Sequence, residues 1–234
     1  MPLGIHRHII TVGGNWDPSD SVTTSFHIDA ADTSSYSLSG SNVSSITDKA
    51  GNFSITVNGT PTRVSSALNS LNVWDFSGSS EDFTTSDEQN VTDGSGNHWA
   101  IGVFLADTVN DTQDSFYSFE NNTVSSGSKK DYAVSAGNSS AFNGELDLHG
   151  LSSNRISSTI GNLQAFDSAV TLDAFHIVGT IFNSTGNQIS TRVDGADAFT
   201  PVNDYDRGIN QKQDVRIMRN RANERLDGRV AEFF

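Results

Sequence analysis

The stretch Leu226-Asp-Gly-Arg-Val-Ala-Glu-Phe-Phe234 constrains the fold more than any other part of the chain. Asp227-Gly228 reads as a short turn, and Val230, Glu232 and Phe234 then alternate with Ala231 and Phe233 as in a strand. An apolar strand must be paired and buried, because an open ladder edge exposes unpaired backbone groups and invites aggregation. The C-terminal residues are therefore expected to be integral to the fold.

The rest of the chain repeats the theme. Short apolar runs are separated by Ser, Thr, Asn and Asp, with 20 Gly and only 4 Pro in 234 residues. This is the composition of many strands joined by many turns. The length suits one all-β domain with a substantial core. Trp99–Ala106 is the most apolar run and is too short to favour a helix, so it reads as a buried central strand. Trp74 and Trp99 are assigned to the core. Phe175–Phe182, a turn at Asn183–Gly186 and Gln188–Gly195 read as a hairpin followed by a second turn. Val215, Met218, Ala222 and Leu226 fall at helical spacing, so Asp214–Arg225 is compatible with an amphipathic helix.

Charge is uneven. The net charge is −14, and Arg207, Lys212, Arg216, Arg219, Arg221, Arg225 and Arg229 are 7 of the 14 basic residues. The first 200 residues are thus strongly acidic, which disfavours nucleic acid and anionic membranes as partners. The C-terminal arginines are interleaved with Asp214, Glu224 and Asp227, so a solvated or mutually paired face is expected. There are no cysteines, hence no disulfides and no thiolate metal site. No apolar run reaches the length of a signal peptide or membrane span, so a cytoplasmic origin without membrane insertion is expected. Residues 1–24, with His6, Arg7 and His8, read as an arm ahead of a domain over 25–234.

Several segments together resemble LamG-like domains of the concanavalin A-like lectin/glucanase class, of the type found in phage virion proteins. Phe26–Asn52 is similar to the first strands of bacterial and phage members, with Ile46 where that family commonly has Trp and Ala50 where it has Ser. Leu71–Thr85, Trp99–Ala106, Phe175–Gly195 and the closing Leu226–Phe234 follow in the family's order. The resemblance implies an all-β, two-sheet antiparallel jelly-roll sandwich over residues 25–234. It also favours a strand at Val215–Met218 and a loop at Asn220–Arg225 over the helix.

Related glucanases carry Glu-x-Asp-x-x-Glu or Glu-x-Asp-x-Glu on a strand, whose alternation points the acids into one cleft. Glu145 and Asp147 match the first two positions, but His149 stands where the compact motif needs its second Glu. The acid/base is missing, and a half-buried strand is the simpler reading. Asp93, Asp204 and Asp206 are the candidate calcium ligands, in loops too short of oxygens to complete a site; no other cofactor is implied. Tyr36, Tyr117, Tyr132 and Tyr205 lie in polar contexts where an exposed ring could stack on a sugar.

Members of this class mostly act outside cells, as adhesion or carbohydrate-binding modules. With no leader in the sequence, the resemblance implies a non-enzymatic phage virion protein, in capsid decoration or a tail fibre, released by lysis. Its expected partners are other virion proteins through residues 1–24, surface glycans, and a second copy of the chain. A cell-surface lectin and an endo-β-glucanase are the alternatives.

Overall fold

The computed structural model describes residues 24–85, 98–108, 114–120, 130–137, 147–154, 163–165, 171–183, 188–197, 214–219 and 225–234. Their regular structure is entirely β, in two antiparallel sheets. Across the larger sheet run β15 (Ala196–Asp197), β14 (Gln188–Val193), β13 (Phe175–Asn183), β8 (His98–Thr108), β17 (Asp227–Phe233), β6 (Leu71–Ser77), β5 (Thr62–Leu68), β3 (Asn42–Ile46) and β2 (Tyr36–Ser39). A tenth strand, β1 (Ile28–Asp29), also pairs with β17. The smaller sheet is β12 (Leu163–Ala165), β11 (Asp147–Asn154), β10 (Lys130–Gly137), β9 (Asp114–Glu120), β16 (Asp214–Ile217), β7 (Asp82–Thr85) and β4 (Ile55–Asn58).

The C-terminal strand is interior, as its apolar pattern requires. β17 pairs with β8 along one side; on the other it pairs with β6 through Val230 and with β1 at Glu232 and Phe233. Its register against β8 shifts between Val230 and Glu232, leaving Ala231 as a bulge. Simple alternation predicts Val230 and Phe233 on opposite faces. The bulge instead turns both into the core. Phe233 closes that core, its ring centroid 4.9 Å from Tyr117 and 6.0 Å from both Phe26 and Phe104.

β8 is central, between β13 and β17. Its inward residues start small because bulky neighbours fill the space: a side chain on Gly102 would strike the rings of Phe104 and Phe233. β13 and β14 form the expected hairpin, closing at Asn183 and Gln188, while residues 184–186 of its turn lie outside the described residues. Asp194 and Gly195, both at positive φ (53° and 83°), make the two-residue turn into β15. The helical alternative at 214–225 fails. Asp214–Ile217 is a strand, and Met218 has a φ of 63°, which no right-handed helix admits.

The core lies between the sheets. Phe26, Ile28, Trp74, Phe76, Phe104 and Phe233 meet Phe83, Phe116, Tyr117, Phe119, Val215 and Ile217 across it. No helix among the described residues is long and apolar enough to cross a membrane. The arm proposed over residues 1–24 falls, but for Thr24, outside the described residues.

Candidate functional site

Among the described residues, the most exposed aromatic group lies on the outward face of the ten-stranded sheet. Successive residues of a strand point to opposite faces. Ala100, Gly102 and Phe104 point inward, so Trp99, Ile101 and Val103 face solvent. Trp99 is 39% exposed; among the described residues only it and Leu71 are large apolar side chains so open to water. Phe234 continues β17 opposite Ile101, to which its N–H donates at 2.9 Å. Its ring therefore stands diagonally beside Trp99, edge-on at 5.5 Å between centroids.

A charged cluster lies on the Phe234 side of this aromatic pair. Asp29 lies opposite Glu232, and Glu232 opposite Val103, so all three share the outward face. His27, two residues before Asp29, lies on that face too, yet is only 1% exposed. The Phe234 ring packs on its imidazole at 5.9 Å, and His27 Nε2 hydrogen-bonds Glu232 Oε1 at 2.9 Å. Its own backbone N–H donates to Asp48 Oδ1 at 2.8 Å. Lys49 Nζ bridges Asp29 Oδ2 at 3.2 Å and Asp32 Oδ2 at 3.3 Å. The hydroxyl of Ser34, helped by its backbone N–H and by Lys49, holds the Asp32 carboxyl below its ordinary range.

Further along the same face, Arg229 Nε donates to Asp75 Oδ1 at 2.8 Å and its Nη2 lies 3.6 Å from Asp107 Oδ2. Burial pushes the Asp107 carboxyl up; Arg229 opposes this, while Asp75, Asp227 and Asp173 add to it. An exposed flat ring, with the carboxylates of Asp29 and Glu232 further along the same face, suits a sugar, which offers a C–H face and a rim of hydroxyls.

The tyrosines expected to serve this role are placed elsewhere. Tyr36 lies on β2 and is buried, its ring edge-on to Trp74 at 5.6 Å and its hydroxyl accepting from Asn72 Nδ2. Tyr117 lies on β9, fully buried, its hydroxyl 2.6 Å from Thr180 Oγ1 across the sandwich. Neither offers a ring face to solvent. Only the backbone of Tyr132 is described, in β10, and Tyr205 lies outside the described residues. Glu145, Asp93, Asp204 and Asp206 also lie outside them. Asp147 begins β11 opposite Gly137, on a strand one place in from the sheet edge.

Trp99 was expected in the core and is not. The available signal was the small Ala100 and Gly102, which mark the inner face of that strand. The arginine patch is also paired differently. Arg216 does approach Asp214, at 4.0 Å, but Arg219 and Arg225 converge on Asp82 of β7.

Two solved structures match nearly the whole chain. Domain 4 of AbnA, an extracellular arabinanase of Geobacillus stearothermophilus seen in complex with arabinotriose, aligns with TM-score 0.56 at 12% identity over 89% of each chain. A carbohydrate esterase from the Shiga toxin-encoding bacteriophage phi24B aligns with TM-score 0.55 at 14% identity, over 90% of this chain and 96% of that one. No family model and no curated protein matches the chain. Likeness at such identity speaks for architecture, and with the strand pairings above it makes this chain a two-sheet antiparallel jelly-roll sandwich.

Proposed function

We propose that this chain is a LamG-like glycan-binding sandwich carried on a phage particle, adhering to carbohydrate rather than cleaving it. The observation that carries the reading is Trp99, exposed beside Phe234 on an outward sheet face that also carries Asp29 and Glu232. The phage esterase and the arabinanase domain, both carbohydrate-linked by their descriptions, lend the same fold to this reading. Binding is favoured over hydrolysis because His149 replaces the second Glu of the compact glucanase motif.

Screening against a glycan array tests it. At least one glycan should bind, and Trp99→Ala should weaken that binding about 30-fold, the effect of losing roughly 2 kcal/mol at a central aromatic anchor. Melting temperature should change little, since Trp99 lies outside the core. Silence across the array, or binding indifferent to Trp99→Ala, rejects the site. For the particle, mass spectrometry of purified virions should find the chain at fixed stoichiometry. A copy number near that of the shell protein indicates decoration and a few copies indicate a tail or fibre; absence sinks the assignment.

A further inference from the structure

We propose that His27, Asp29 and Glu232 bind a divalent transition-metal cation, with zinc the best match to their chemistry. Their candidate ligand atoms, one imidazole nitrogen and two carboxylate oxygens, all lie within 4.8 Å of one another. Ligands held about 2.0–2.2 Å from one zinc ion stand roughly 3–4.4 Å apart, so side-chain adjustments of about an ångström close the set. The backbone has already done the larger part of the work. The β1–β17 register sets Asp29 directly opposite Glu232, and strand period places His27 two residues back on the same face.

The set is selective in kind. One borderline imidazole and two hard carboxylates suit zinc, cobalt or nickel, whereas magnesium prefers an all-oxygen octahedron. Three protein ligands also leave a coordination position for water or another small donor. Asp29 and Glu232 supply two negative charges, matching the ion. Lys49 is the resident competitor, since its ammonium occupies Asp29 Oδ2 at 3.2 Å. It has somewhere to go: Asp32 Oδ2 lies 3.3 Å away, on a carboxylate already held by Ser34. The ion would tie the first described strand to the last. This proposal does not depend on glycan binding at Trp99.

The test uses the full chain with His6 and His8 replaced by Ala, so that the imidazoles of the first ten residues contribute nothing. One equivalent of Co²⁺ should give a visible d–d band that Zn²⁺ abolishes and Mg²⁺ does not. Zn²⁺ at a hundredfold excess over its Kd should raise the Tm by about 5–10 °C. Glu232→Gln and Asp29→Asn, both near-isosteric, should each weaken Co²⁺ binding at least about 10-fold. Lys49→Met should tighten it by removing the competing ammonium. Absence of the band, a band indifferent to Glu232→Gln and Asp29→Asn, or unchanged affinity in Lys49→Met overturns the assignment. Trp99→Ala, which removes none of the three ligands, should leave Co²⁺ binding unchanged while weakening glycan binding, so failure of this site and failure of the Trp99 surface are read separately.

Discussion

Replacing Phe233 with Ala is expected to destabilise the protein by about 3–5 kcal/mol, the usual cost of deleting a buried phenyl ring. Its ring lies within 6.5 Å, centroid to centroid, of Phe26, Phe104, Tyr117 and Phe119, drawn from both sheets. These partners are themselves held on paired strands, so the vacated volume cannot collapse cheaply. At this chain length each kcal/mol moves the melting temperature by about 2–4 °C, so a fall of roughly 10 °C is the outcome to look for. Phe234→Ala, one residue on, is the internal control. That side chain faces outward, and its loss should be felt at Trp99 rather than in the core. Greater destabilisation by Phe234→Ala than by Phe233→Ala would contradict the bulge at Ala231.

Asp82→Asn should cost about 3 kcal/mol, with the denaturant slope unchanged. Asp82 is completely buried. One carboxylate oxygen accepts from Asn58 Nδ2 at 2.6 Å and Thr84 Oγ1 at 2.8 Å. The other takes Arg225 Nε at 3.1 Å and Arg219 Nη1 at 3.4 Å. An amide keeps the shape but not the charge. It leaves two largely buried guanidiniums facing a neutral group, and it turns an N–H₂ toward donors. Removing one partner of a buried ion pair is far costlier than never having built it. The arginines retain a water-facing edge, which holds the figure at the lower end of the usual range. A double-mutant cycle of Asp82→Asn with Arg225→Gln should return a coupling of at least about 1 kcal/mol; a value near zero would mean the pair is ornamental.

These two sites mark where the sequence was legible and where it was not. Strand existence could be read locally. Trp99–Ala106, Phe175–Phe182 and the C-terminal strand announce themselves by apolar runs, and each is a strand in the structure. Facing was harder. Strand period says that Val230 and Phe233 diverge, and only the extra residue at Ala231 brings them together. Tyr117 sits in Asp114-Ser-Phe-Tyr-Ser-Phe-Glu120, whose serines suggested a wet loop, yet Ser115 and Ser118 are themselves fully buried. Pairing was least legible of all. Asp82 meets its arginines across 137 and 143 residues of chain, and no local pattern could nominate it over Asp214 or Glu224. The triad of His27, Asp29 and Glu232 was hidden for the same reason, its third member lying 205 residues from its first.

The backbone pairing of Phe234 has a practical consequence for anyone handling this protein. Phe234 exchanges hydrogen bonds with Ile101 in both directions, at 2.7 and 2.9 Å, and β8 begins three residues before Ile101, at His98. Residues appended directly to Phe234 in the same register would lie opposite Ala100 and then Trp99. An affinity tag fused directly to Phe234 would, in that register, run beside the exposed indole. Binding assays on such a fusion would measure a masked surface, and the handle belongs at the other end of the chain.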